Sequence, residues 1–208
     1  MALTVHWSEA SSVHHLLDLF ERVNRDVTPI APLRWSIAHL ENATPEVLAR
    51  MASLGVAWST QLGTYYGGNA LLAQRGDAAR RMPPLVTGLK AGVKVAIGTD
   101  AHRVASYNPF VMLQWALDGR TIHGTPLRVA SEIPTREQAL RMYTLDAAWF
   151  SFDEGRRGSL EVGKLADFAV LNQDFFSVPV EQISNTTSLL TLVGGRIVHA
   201  AGPFLSAR

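Results

Sequence analysis

The chain has 208 residues, 47% hydrophobic and 18% charged, enough for a sizeable core in one domain or one and a fraction. Its 19 basic residues against 18 acidic ones, with no basic run longer than two, argue against nucleic acid or an anionic membrane and point to a small neutral or mixed substrate. With no cysteine, any metal must be held by His, Asp or Glu and a reducing, cytoplasmic setting is the default, while neither a signal peptide nor a membrane span is expected, since residues 1–6 lack a basic region with a long apolar run and about 18 apolar residues nowhere occur together.

In chain order, short apolar β-branched runs alternate with amphipathic helical patterns from residue 1 to about 150, the signature of β/α units around a parallel sheet. A strand is predicted over residues 3–5, then a helix over 8–24 whose buried face carries Val13, Leu16, Leu17 and Phe20. A second strand is expected over 34–38. Thr44 and Pro45 then open a helix whose stripe is Val47, Leu48, Met51 and Leu54 and which Gly55 ends. The third strand falls over 56–60. The stretch 63–69, rich in Gly, Tyr and Asn, reads as a loop, followed by a helix over 77–91 and a strand over 93–97. Asn108 and Pro109 open a helix through Leu117, and Thr135 with Gln138 forms a capping box for a helix running to about Phe150.

Beyond residue 150 glycines punctuate short strands over 168–171 and 189–193, and Gly194 and Gly195 sit in a hairpin position before a strand over 196–199. The predicted organisation is therefore four β/α units over residues 1–150 and a small β segment over 151–208.

Three polar residues follow apolar strands: His6, His39 and Asp100. In parallel β/α folds the C-terminal strand ends form the mouth where sites are built, so all three are expected to face one space. Two neutral imidazoles and a carboxylate suit a divalent metal with open positions, which would activate water and polarise a carbonyl. Each also has a structural reading, as a hydrogen-bonded strand-end His or an Asp that forms a turn or caps a helix. His102 is close enough to Asp100 to line such a site. Tyr65 and Tyr66, in the stretch after the third strand, read either as a substrate lid or as part of a solvated loop.

Taken together, the segments Thr4-Val5-His6, Ala38-His39, Gly98-Thr99-Asp100, the helix from Arg136 to Thr144 and the run from Gly158 to Phe168 with Val193 to Val198 resemble the amidohydrolase superfamily, specifically its amidohydrolase-3 group. The resemblance implies the second half of a TIM-type (β/α)8 barrel followed by part of the superfamily's β-sandwich. It implies that His6 and His39 are metal ligands and that Asp100 binds metal and shuttles the proton; the expected cofactor is a divalent metal, zinc foremost. The implied reaction is hydrolysis of a C–N bond in an amide or cyclic amide. The first-strand His-x-His of that family is not found in this chain. A longer gene product, a separate subunit or a homo-oligomer would therefore complete the barrel, and a catalytically inactive binding or interface module is the alternative. Trp7 to Ala10 stand where relatives carry a small-Gly-Asp sequence, and Glu9 reads there as a helix-start acid facing the helix dipole.

Overall fold

The computed structural model describes residues 1–101 and 104–207. Four strands, β1 (Thr4–Trp7), β2 (Ser36–His39), β3 (Ala57–Thr60) and β4 (Val95–Ile97), form one parallel sheet in the order β1-β2-β3-β4. The helices between them are α1 (Ala10–Asp26), α2 (Pro45–Leu54), α3 (Gly63–Arg75) and α4 (Leu85–Lys90). After β4 come α5 (Pro109–Asp118), α6 (Arg136–Tyr143) and α7 (Leu145–Phe150). A second sheet holds β5 (Phe168–Leu171), β6 (Ser188–Val193) and β7 (Arg196–Ala200), antiparallel and in that order. This is half of an eight-stranded barrel with a small β unit, as the sequence predicts.

The strand register explains where the core lies. Val5, Ile37, Trp58 and Val95 are partners across the sheet and belong to the core that α1 and α2 cover. Val13, Leu17, Phe20, Val47, Leu48 and Met51 are buried on those helices, each burial contributing about 1.5–3 kcal/mol of transfer free energy. On the alternate face the partners are His6, Ala38, Ser59 and Ala96. Small residues there leave room in the barrel interior, and His6 is exposed on that face.

Four predicted segments are corrected. The stretch 63–69 begins helix α3 and is not a loop: Gly68 lies so close to Thr121 and Leu127 that an added Cβ would fall 2.6 and 2.9 Å from their side chains. Close packing at that glycine outweighs its poor helix propensity. The predicted helix 77–91 divides into a 3-10 turn (Gly76–Arg81) and the short α4, because consecutive prolines at 83 and 84 interrupt it. The capping box at Thr135 and Gln138 is present, but the helix it opens stops at Tyr143; Thr144, with φ −118° and ψ −87°, separates α6 from α7. Arg34 does not begin β2 but ends a 3-10 turn with φ 54°.

The β unit is stitched to the helical layer. Asn108 Nδ2 donates to the Ser184 carbonyl, the Ser184 N–H donates to Gln114 Oε1, and Arg136 donates to the carbonyls of Phe175 and Val178. Gly194 and Gly195 turn β6 into β7 with φ 57° and 77°, the two positive angles a tight hairpin requires.

Candidate functional site

The C-terminal ends of the parallel strands carry the site. His6 is the third residue of β1 and His39 the last of β2. Strand alternation alone would aim them at opposite faces, since His6 pairs with Ala38 and His39 with Trp7. Yet His39 Nε2 lies 3.1 Å from His6 Nδ1, and the rings meet edge-on with centroids 4.9 Å apart. The backbone reconciles the two facts. His39 and Leu40 both adopt left-handed angles, φ 70° and 52°, which turn the chain out of the strand. Such angles cost a non-glycine residue about 1–2 kcal/mol and persist where surrounding contacts impose them.

Two side chains bind the His39 main chain. Its N–H donates to Gln61 Oε1 at 3.1 Å, and its carbonyl accepts from the Trp58 indole N–H at 2.6 Å. Gln61 Nε2 in turn donates to Ser59 Oγ at 3.0 Å. Glu41 Oε1 stands 3.8 Å from His39 Nδ1, ion-pair distance, with both side chains about one-fifth exposed. Burial raises the Glu41 carboxyl above its ordinary range, a tendency that Asp100 and Glu9 reinforce and that its own backbone N–H and His39 oppose.

Asp100 lies three residues beyond β4, also left-handed at φ 58°. It shares a cavity of about 210 Å³ with His39, Gln61, Tyr66 and Thr99. The Tyr66 hydroxyl accepts from the Ser106 N–H at 3.0 Å, tying α3 to the segment after Asp100. Tyr65 does not line that cavity; it packs against the core, and burial raises its phenol above the ordinary range. These tyrosines occupy the first turns of α3, so neither belongs to a solvated loop. His102 lies outside the described residues. Glu9 stands at the N-cap of α1 without a side-chain cap bond: its carboxylate accepts from Asn42 at 3.2 Å and pairs with Arg75 at 3.3 Å.

The donor set is nitrogen and oxygen only, which suits zinc or iron more than thiophilic ions. A tetrahedral zinc with bonds of about 2.0–2.1 Å holds neighbouring nitrogens roughly 3.3 Å apart, close to the His6–His39 separation. The nitrogen spacing suits two ligands of one ion, while the contact as it stands has hydrogen-bond geometry. Among the described residues, however, no three His, Cys, Asp or Glu side chains form a group able to hold a metal ion. Sequence reasoning missed Glu41, Gln61 and Trp58; only the position of Glu41, two residues after His39, offered a signal.

Four parallel strands with polar residues gathered at their C-terminal ends, followed by a small antiparallel sheet, define a partial β/α barrel protein. Residues 1–199 match the sequence model of the Amidohydrolase family, and the chain belongs to that family. It is 30% identical over 196 residues to the N-substituted formamide deformylase of Arthrobacter pascens, covering 93% of this chain and 35% of that protein. The chain thus spans about a third of that relative. Among solved structures, a metal-dependent hydrolase from Pyrococcus horikoshii superposes with a TM-score of 0.70 at 19% identity, covering 87% of this chain and 36% of its own. Atrazine chlorohydrolase from Arthrobacter aurescens, complexed with zinc, gives 0.63 at 22% identity, with 96% and 44% covered. At those identities the structural likeness shows the fold. Among the described residues no helix is long and apolar enough to cross a membrane.

Proposed function

We propose that this chain is the metal-binding C-terminal part of a hydrolase acting on C–N bonds other than peptide bonds, in amides or cyclic amides. Residues 1–150 would form the catalytic part and 151–208 its β-sandwich scaffold. The carrying observation is the meeting of His6 and His39, 3.1 Å apart on adjacent strands, beside the cavity that holds Asp100. The formamide deformylase relative supports the substrate class, and the zinc-bound neighbour supports the metal.

In this reading His6, His39 and Asp100 would hold zinc, which when bound would supply an acidified water and a Lewis acid for the carbonyl. Asp100 would take the proton from the attacking water and return it to the leaving nitrogen. Glu41 favours the ligating form of His39 by standing beside its other ring nitrogen. Tyr66 holds the segment after Asp100 in place and walls the cavity. The remaining ligands and the other barrel strands come from a preceding segment, a separate subunit or a second copy, and the protein works in the cytoplasm.

A second reading is favoured by the lack of a three-group metal cluster among the described residues: a catalytically silent module that binds or joins partners. Zinc content by elemental analysis after dialysis, together with hydrolysis of an N-substituted formamide, separates the two. About one zinc per chain, lost in His39→Ala, supports the hydrolase. A protein that stays metal-free with excess zinc at neutral pH, both as this chain alone and within the completed barrel, sinks it.

A further inference from the structure

Resting on the reading of His39 as a metal ligand, we propose that Gln61, assisted by Trp58, is a positioning residue that fixes His39 for ligation by gripping its main chain. His39 departs from the strand geometry of β2 at the point where its register with β3 stops, the last partners being Ala38 and Ser59. Beyond that pair β3 holds β2 through side chains instead of a regular ladder. Gln61 takes the His39 N–H and Trp58 takes the carbonyl, so the peptide groups on both sides of the His39 Cα are fixed. With φ set at 70°, the imidazole points toward His6 and away from the face its strand position would give it.

Both gripping groups are themselves held. The Trp58 side chain is fully buried, and its six-membered ring lies over Gly88, where an added Cβ would sit 3.1 Å from the indole. The Gln61 amide is oriented by its bond to Ser59, which leaves Oε1 facing the His39 N–H. Neither residue needs to touch the metal. Supporting groups that only orient a ligand still change affinity, typically by about 10–100-fold when removed. This role differs from that of Glu41, which acts on the ring nitrogen and leaves the backbone angle untouched.

The test compares wild type, Gln61→Leu, Gln61→Glu and His39→Ala, with Trp58→Phe as a second route to loosening the grip. Zinc affinity is read by competition with a chromophoric chelator. Exchange of the His39 amide is read by NMR on the metal-free chain, and thermal unfolding verifies the fold. In Gln61→Leu the His39 amide is expected to exchange about tenfold faster or more, and zinc affinity to fall about 10–100-fold. Gln61→Glu keeps the accepting oxygen and restores both. Trp58→Phe weakens zinc in the same direction, since it removes the indole N–H and keeps an aromatic ring in the core. Unchanged exchange in Gln61→Leu overturns the grip. So does wild-type zinc affinity in Gln61→Leu when His39→Ala has lost the metal. Zinc uptake that survives His39→Ala, or is absent from wild type, defeats the ligand reading itself and this inference with it.

Discussion

The two ends of the parallel sheet are built on different terms. At the N-terminal end Arg34, just ahead of β2, donates two hydrogen bonds to the Glu154 carboxylate, at 2.7 and 2.8 Å, and a third to the Trp149 carbonyl. Its guanidinium also lies over the rings of Trp149 and Phe152, 4.6 and 4.2 Å from their centroids. One side chain thereby ties the first half of the chain to the last barrel helix, across 115 residues of sequence or more. At the C-terminal end His39, Leu40 and Asp100 are all left-handed, and the two imidazoles face each other without a carboxylate between them. Arg34 is also left-handed, but its strain is offset by bonds it makes itself. The strain at His39 is held by other residues, Gln61 and Trp58, which bind its main chain.

If that division is right, substitutions at the two ends should affect different measurements. The largest effect is expected for His39→Ala, with zinc affinity at least about 100-fold weaker and stability changed little, because the contacts its imidazole makes are polar ones to His6 and Glu41. Equilibrium dialysis paired with urea unfolding reads both. Next comes Arg34→Ala, which should cost about 2 kcal/mol of unfolding free energy through the lost carbonyl bond and ring contacts while zinc affinity stays put. A large zinc effect from Arg34→Ala would dissolve the contrast between the ends.

The third expectation concerns strain directly. Comparing His39→Gly with His39→Ala removes the imidazole in both cases, so metal binding does not distinguish them. Glycine accepts φ 70° without a steric cost, whereas alanine keeps the penalty. The glycine variant should be the more stable by about 1 kcal/mol in urea unfolding. Equal stability would mean that the backbone at 39 relaxes when its ring is gone, and that the strain belongs to the imidazole contact alone.

How much of this was legible in the sequence follows from the kind of interaction involved. Helices α1 and α2 are written in local periodicity and caps, and the structure returns Val13, Leu17, Val47 and Met51 as core. His6, His39 and Asp100 stand out because each follows an apolar run, and in the structure His6 meets His39 while Asp100 shares a cavity with His39. Helix α3 was hidden because its glycines look like loop composition until Thr121 and Leu127, more than 50 residues later, pack against Gly68. Gln61 and Trp58 were hidden for another reason. Their partners are the backbone groups of a residue made irregular by its own φ, and no residue pattern encodes such a bond.

The smallest expected effect is a pH dependence at the Arg34 end. The Arg34 hydrogen bonds hold the Glu154 carboxyl down to about 2 from its ordinary 4.5. A carboxyl whose folded pKa is depressed contributes stability above its unfolded value and loses that contribution as pH falls through the interval, here from about 4.5 to about 2. The side chain is one-third exposed, so solvent screens the pair and the effect is a change of slope, not a collapse. Melting temperatures of wild type and Glu154→Gln, taken from pH 6 down to 2.5, should converge as the acid range is entered, wild type being the more stable above it. Arg34→Ala should show the same flattened acid limb as Glu154→Gln, because either change removes the linkage. Parallel curves for all three proteins would mean that Arg34 acts through its rings and the Trp149 carbonyl alone, leaving the contrast between the sheet ends one of packing instead of charge.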